Sequence, residues 1–176
     1  MYHLLLLAKA VIMLFQLRSL MQSSSADPYH QWSLAVRRLT DPCLRFLPAG
    51  SFSYRGIYCG GFLFALLFAM IFWLCLCLFT GLDFRSAVLL TACMYLKCFG
   101  YLLILLLLIQ ALASWLENTR PLSFYLSQIT HVITAPVQRV IPPIGMVDIS
   151  LMVVLLLLYA LSHLLGRLFG YYWYIM

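Results

Sequence analysis

The stretch IYCGGFLFALLFAMIFWLCLCLFT, residues 57–80, contains no charged side chain, and the charges nearest to it are Arg55 and Asp83. The hydrocarbon core of a bilayer is about 30 Å thick, and a helix of roughly 20 apolar residues crosses it. An uncharged apolar run of this length is typical of a membrane span and not of a soluble domain. Residues 57–80 are therefore predicted to form a transmembrane helix.

Three further apolar stretches are long enough to span a membrane, and they cover residues 4–20, 87–116 and 149–168. Of the 176 residues, 65% are hydrophobic and 9% are charged, and the mean hydropathy is +1.00. This composition lies far outside the range of water-soluble domains. We predict an all-α membrane protein with four transmembrane helices.

The first of these stretches could be taken for a signal peptide, because the small residues Ser23 to Ala26 follow it. Its charges do not fit that interpretation. Lys9 lies inside the apolar stretch and Arg18 at its far end, whereas a signal peptide carries its basic residues before the apolar region. We expect a retained helix.

A ten-residue pattern occurs twice in the chain, as LTDPCLRFLP at residues 39–48 and as ITAPVQRVIP at residues 133–142. Both copies read aliphatic-Thr-x-Pro-x-x-Arg-x-aliphatic-Pro. The same offset, without a gap, pairs Gln16 with Gln110 inside the preceding spans. The chain is therefore predicted to contain two repeats, residues 1–85 and 86–176, each with two spans.

An even number of spans in each repeat makes the two repeats parallel. Both motif loops then face one side of the membrane, and both termini and the turn at residues 81–86 face the other. The motif loops hold more basic residues than the opposite side, and the positive-inside rule then favours cytoplasmic motif loops. The two sets are Arg37, Arg38, Arg45, Arg55, Arg120 and Arg139 against Arg85, Lys97 and Arg167.

Each motif loop is also predicted to contain a short amphipathic helix. The first begins at Asp27-Pro28, a good N-cap and N1 pair, and ends at Asp41-Pro42. The second begins at Pro121 and ends before Pro136. We expect these helices to lie in the headgroup layer, with the Thr-x-Pro motif as a stiff corner leading to the next span.

The arrangement resembles the YggT family of small bacterial and plastid membrane proteins. The most specific part is TAPVQRVIPPIGMVDIS, residues 134–150. In the first half, Leu17-Arg18 and Met21-Gln22 match the family's end of helix one, and the motif prolines and arginine recur. Tyr54 stands where the second copy has Asp148, so the first copy is less complete.

The resemblance implies a multi-pass protein of the bacterial inner membrane. It links bacterial members to osmotic tolerance, potassium uptake and the vicinity of cell-division genes. It links plastid members to cytochrome maturation and organelle organisation. It names no molecular activity.

Arg45 and Arg139 are the leading recognition candidates, because an arginine between two prolines in an apolar loop near the bilayer requires an anionic partner. The functional interpretation is recognition of a lipid phosphate, a partner protein or a permeating anion. The structural interpretation is an arginine bonded to loop carbonyls and headgroups. The other candidates for recognition of lipid or a partner are Thr40, Pro42, Pro48, Thr134, Pro136, Pro142, Gly145 and Asp148.

Asp148 directly precedes the fourth span, where a carboxylate can cap the helix N-terminus. Pairing with Arg139 is the competing role. Inside the spans the polar candidates are Lys9, Gln16, Arg18 and Gln110. Interhelical hydrogen bonding is the ordinary structural role of the two glutamines, and lining a polar path through the membrane is the functional alternative. All five acidic residues lie outside the span cores, which argues against a cation channel made by one chain.

Motifs for catalysis are missing from the sequence: it has no zinc pattern, no phosphate-binding glycine loop and no nucleophile elbow. The six cysteines form no C-x-x-C pair and are expected to be packing residues. No two histidines share a depth on two helices, as a haem would require. We expect no enzyme activity, no cofactor and no metal.

Two hypotheses follow. The first is a non-enzymatic accessory or assembly protein that presents its two arginine-bearing loops to lipid or to a membrane-protein complex. The alternative is a potassium-related ion transporter or channel subunit, active as an oligomer. The expected partners are anionic lipid headgroups and either further copies of the chain or a larger complex, with no nucleic acid.

Overall fold

The computed structural model describes residues 2–24, 26–45, 53–54, 57–81, 83–115, 119–139 and 149–175. Seven helices and two short strands occur in these ranges, in the following chain order: α1 (Tyr2–Ser23), α2 (Gln31–Leu44), β1 (Ser53–Tyr54), β2 (Ile57–Tyr58), α3 (Gly60–Thr80), α4 (Phe84–Trp115), α5 (Arg120–Gln138), α6 (Ile149–Phe169) and α7 (Tyr171–Ile175).

Four helices of the described chain are long and apolar enough to cross a membrane, and they cover His3–Ser23, Gly60–Thr80, Phe84–Trp115 and Ser150–Phe169. The predicted all-α, four-span fold is confirmed. α3 begins three residues later than predicted, because Ile57–Tyr58 pairs as an antiparallel strand with Ser53–Tyr54. The order of span, loop helix and span occurs twice, and the predicted division after residue 85 falls in the first turn of α4.

A strip of small residues on α3 brings this helix close to α1. Gly61, Ala65 and Ala69 recur at every fourth position and so lie on one face of the helix. Both alanines are fully buried, and a Cβ atom placed on Gly61 would lie 2.6 Å from the backbone oxygen of Phe15. Membrane helices associate through such close van der Waals packing, since lipid offers no hydrophobic force to drive them together.

α4 is the helix around which the others are arranged, because it contacts α1, α3, α5, α6 and α7. Cys93 and Cys98 are buried in the core that α4 shares with α1 and α3. Trp73 of α3 donates its indole N–H to the sulfur of Met94, at 3.1 Å. The packing role predicted for the cysteines fits Cys93 and Cys98, whereas Cys43 and Cys75 are exposed.

The two loop helices lie at the same end of the bundle. α2 packs on α1, and α5 packs on α4 and α6. Met21 and Ala26, next to the end of α1, share one apolar cluster with Leu106 of α4 and with Tyr125 and Ile129 of α5. The start of α1, the end of α3 and α7 belong to a different cluster towards the opposite end.

The predicted start of the first loop helix was wrong by three residues. Asp27 does not cap α2. Its carboxylate accepts the backbone N–H of Tyr29, at 2.9 Å, which makes a turn, and α2 begins at Gln31. α5 begins at Arg120, one residue before the predicted start.

The predicted ends were wrong in both loops, because Pro42 lies inside α2 and Pro136 inside α5. A proline removes one N–H from the helix, and close to the C-terminus the turn continues past it. The backbone N–H of Arg45 still bonds the carbonyl of Asp41 at 3.1 Å, and that of Arg139 bonds the carbonyl of Ala135 at 3.2 Å. The Thr-x-Pro motif is therefore the last part of each loop helix and not a corner after it.

Gly61→Ala tests the close contact of α1 and α3. The added methyl group cannot fit against the backbone of Phe15, so the helices must separate, which costs about 1–3 kcal/mol of stability. We expect a lower midpoint of thermal unfolding in mild detergent. Gly100→Ala in α4 is the control, because no atom of the described residues lies within 4 Å of its Cβ position. Equal midpoints for the two variants would contradict the packing described above.

Candidate functional site

The two loop helices are joined into one unit, called here the loop layer (α2 and α5). Tyr125 of α5 is buried, and its hydroxyl lies 2.6 Å from the hydroxyl of Ser33 in α2. The Ser33 hydroxyl donates its single hydrogen to the carbonyl of Asp27 at 2.9 Å, so the Tyr125 phenol donates to Ser33. The His30 ring stacks on Tyr125 with 4.1 Å between centroids.

Tyr125 remains a donor at neutral pH. Burial raises the pKa of its phenol above the ordinary value, so the phenol keeps its proton. Ionisation of this phenol therefore does not break its bond to Ser33 at neutral pH.

Arg18 attaches α2 to the end of α1. Its side chain is 7% exposed, and its Nη1 atom donates to the hydroxyl of Thr40 and forms an ion pair with Asp41 at 2.7 Å. The Thr40 hydroxyl in turn donates to the carbonyl of Val36 at 2.7 Å. Two sequence candidates, Arg18 and Thr40, are thus brought together, and Thr40 has a structural role in this contact.

The second half uses different bonds in the corresponding place. Thr134 is buried and donates to the carbonyl of Thr130 at 3.3 Å. The Thr130 hydroxyl lies 2.7 Å from Oε1 of Gln110 in α4 and donates to it. α5 is therefore attached to α4 by a neutral pair of side chains, where α2 is attached to α1 by a charged one.

The other polar candidates inside the spans do not converge on one path. Gln16 donates its amide to the backbone carbonyl of Tyr95 at 3.1 Å and so links α1 to α4. Gln110 faces α5, as described above. Lys9 is partly buried in α1, on the half away from the loop layer. Each glutamine has the hydrogen-bonding role that was expected by default.

Arg45 and Arg139 take equivalent places, as the C-cap residues of α2 and α5. Both arginines are exposed, and so are Pro42 and Pro136 in the turns before them. The loop layer thus displays one arginine at the end of each helix. The remaining candidates, Pro48, Pro142, Gly145 and Asp148, lie outside the described residues.

The outer face of the loop layer mixes large apolar side chains with cations. Trp32 is 58% exposed, and the other large apolar residues exposed on α2 and α5 are Leu34, Leu39, Phe124 and Val132. The exposed cationic side chains of the same two helices are Arg38, Arg45, Arg120 and Arg139. Such a mixture is typical of surfaces that lie at the membrane–water boundary or contact another protein.

The sequence reasoning missed Asp41, Ser33 and Tyr125. Asp41 could have been found as the acid that a buried Arg18 requires, since buried charges are paired. The Ser33–Tyr125 contact joins residues from different halves of the chain, and no local pattern indicates it. Among the described residues, no group of three or more His, Cys, Asp or Glu side chains is placed to hold a metal ion.

The chain is similar to known proteins over most of its length. A model of the CCB3/YggT family matches residues 89–169. The "Uncharacterized protein in proC 3'region" of Vibrio alginolyticus is 30% identical over 93% of this chain and 91% of its own length. An uncharacterized protein of Haemophilus influenzae is 27% identical over 90% of this chain and 87% of its own length.

A third relative is the "Uncharacterized protein YggT" of Escherichia coli strain K12. It is 30% identical over 85% of this chain and 80% of its own length. No solved structure matches the chain.

Tyr125→Phe tests the bond between the two halves of the loop layer. Loss of one buried hydrogen bond should reduce stability by about 1 kcal/mol. It should also speed hydrogen exchange of the α2 amides, because α2 loses its hydrogen bond to α5. Tyr29→Phe is the matched control, since Tyr29 is 81% exposed. Unchanged exchange in α2 would show that the Ser33–Tyr125 bond does not hold the two helices together.

Proposed function

This chain belongs to the CCB3/YggT family of membrane proteins, and from that premise we propose that it is a non-enzymatic accessory or assembly protein. In this proposal the exposed face of the loop layer binds a larger membrane-protein complex of the bacterial inner membrane. The setting implied by the family resemblance is osmotic stress tolerance. One observation carries the proposal, namely a preformed surface on which apolar side chains alternate with arginines.

The internal bonds of the loop layer support this role. Ser33–Tyr125 joins α2 to α5, and Arg18 holds the end of α2 on α1. These bonds fix the backbone that displays Trp32 and Phe124. A surface whose backbone is already ordered loses less conformational entropy on binding than a flexible loop does.

Arginine and the aromatic residues are also the residue types that contribute most to binding at protein interfaces. Arg45 and Arg139 end the two helices at equivalent positions, so the surface offers two similar cationic points. Anionic headgroups around the complex would meet the same arginines. The proposal therefore assigns recognition to the exposed arginines and a structural role to the buried threonines of the motif.

Ion transport remains the alternative, and it has less support from the described residues. Gln16 and Gln110 are each engaged in a separate contact between helices. Asp41 is paired with Arg18, and Asp27 and Asp83 are exposed beyond the helix ends. A transport path would need these polar groups, or others from further copies of the chain, to face a common opening.

Purification in mild detergent tests the accessory role. The protein should be recovered in a complex larger than a monomer, together with an enriched membrane protein. The double variant Trp32→Ala, Leu39→Ala should return to monomer size, because it removes apolar contact area from the loop layer. Leu66→Ala is the control on the side of α3, since Leu66 is exposed in a span.

A monodisperse monomer without a co-purifying protein would contradict the accessory role. Potassium flux into liposomes that contain only the purified chain would instead favour the transport alternative. The two readouts are independent of each other, so one preparation of protein distinguishes the two functions.

Orientation has its own test, because Cys43 is exposed on α2. In a variant that keeps only this cysteine, a membrane-impermeant maleimide should label Cys43 after the cells are permeabilised and not before, since the loop layer is proposed to be cytoplasmic. Asp83→Cys, in the turn before α4, is the control and should label in intact cells. The opposite pattern of labelling would reverse the proposed orientation.

A further inference from the structure

We propose that a pocket between α1, α2 and β2, called here the α1–α2 pocket, binds a phosphate-bearing anion. Its volume is about 400 Å³, within the range of ordinary ligand sites. The polar residues that line it are Arg18, Gln22, Ser24, Ser33, Arg37 and Tyr58. This inference does not rest on the proposed docking role, since it concerns a cavity and not the exposed face of the loop layer.

Arg18 is the first argument for an anion. Only 6% of this residue is exposed, and its Nη1 atom is already engaged with Thr40 and Asp41. Its Nε atom is buried and has no partner within the described part of the chain. A buried cationic N–H without an acceptor is costly, so the site favours a ligand that supplies an acceptor oxygen.

Arg37 adds a second positive charge to the same pocket. The side chain is partly buried, and no hydrogen bond or ion pair of its guanidinium occurs among the described residues. Asp41 is the acid paired with Arg18, and it is not among the residues that line the cavity. The described part of the lining therefore carries two arginines and no acid, which is the composition that recognises phosphate oxygens.

The neutral groups of the pocket fit the same ligand class. The ring of Tyr58 lies against Arg18, with 6.0 Å from the guanidinium carbon to the ring centroid, and limits its movement. Oε1 of Gln22 is a buried acceptor without a partner in the described chain, so a hydroxyl beside the phosphate would be satisfied there. A phosphate ester with a polyol group meets both requirements.

The second half of the chain provides an internal comparison. The repeat offset pairs Ser33 with Ser127, Arg37 with His131 and Arg18 with Leu112. A pocket of about 350 Å³ between α4 and α5 contains Ser127 and His131, and its described lining has no arginine. The described linings of the two pockets therefore differ in charge, although both lie beside a loop helix.

The position of the pocket allows two sources of phosphate. It lies beside the last turn of α1, where a span meets its loop, so the headgroup of an acidic phospholipid can reach it from the bilayer. Pro28 on its lining is exposed, so a free phosphate can enter from water. The chemistry that the arginines recognise is the same in both cases.

Ligand-induced stabilisation tests the proposal and separates the two sources. Full-length protein in dodecyl maltoside is titrated with dioctanoyl-phosphatidylglycerol, with dioctanoyl-phosphatidylcholine or with potassium phosphate, at constant ionic strength, and the midpoint of thermal unfolding is followed. We expect a saturable increase with phosphatidylglycerol and none with phosphatidylcholine. An increase with potassium phosphate as well identifies free phosphate as a sufficient ligand, and its absence identifies the lipid headgroup.

Arg37→Gln is the decisive variant, because the Arg37 side chain makes no hydrogen bond or ion pair in the described chain and its replacement should leave the fold intact. Loss of one charge-assisted contact should weaken phosphatidylglycerol binding about tenfold. Arg38→Gln makes the same change of charge at an exposed neighbour outside the pocket and should bind as the wild type does. Arg18→Lys keeps the buried charge but removes the Nε donor, and it should also weaken binding.

Two results would overturn the proposal. The first is the absence of a saturable shift with either anion in the wild-type protein. The second is an equal loss of phosphatidylglycerol affinity in Arg37→Gln and Arg38→Gln. It would show that binding depends only on the general positive charge of α2.

Discussion

The buried guanidinium at the end of α1 is the interaction on which the loop side of this protein depends. A charge with so little access to water must be compensated by nearby groups, and the compensation here comes from Thr40 and Asp41 in the last turns of α2. α2 can supply both only if it lies across the end of α1. That placement also brings Ser33 within reach of Tyr125 and so bonds α2 to α5, which packs on α4 and α6.

The two halves reach similar shapes through different chemistry. The motif threonine is buried in both, yet Thr40 contacts a charged arginine and Thr134 belongs to a neutral chain of bonds that ends at Gln110. The motif arginine is exposed in both, at equivalent C-caps. Each half thus combines a buried motif threonine with an exposed motif arginine, but the residue that contacts the threonine differs between the halves. Divergence of this kind allows one half to acquire a ligand site without loss of the fold.

Much of the fold could be predicted from the sequence. Backbone polar groups without hydrogen bonds are costly in lipid, so an apolar stretch of about 20 residues crosses the membrane as a helix. The four spans follow from that constraint, and the two loop helices follow from their amphipathic spacing. The helix ends do not. Pro42 and Pro136 were expected to terminate their helices, but one missing N–H in a last turn is tolerated.

The site was less predictable than the fold for a related reason. The sequence singled out Arg18, Thr40, Arg45 and Arg139 by residue type, but it could not show which are buried. That depends on contacts between distant parts of the chain, such as Ser33 with Tyr125. The close approach at Gly61 is hidden in the same way, because its effect depends on the backbone of Phe15 in another helix.

The close contact between α1 and α3 also bears on how the protein is inserted into the membrane. The α1 span is the least apolar of the four, with a mean hydropathy of 1.8, and it carries Lys9 and Arg18, whereas the α3 span reaches 2.8. During synthesis α1 leaves the ribosome before α3 does. We expect it to wait beside the insertion machinery until α3 arrives, so that the two helices enter the bilayer as a pair.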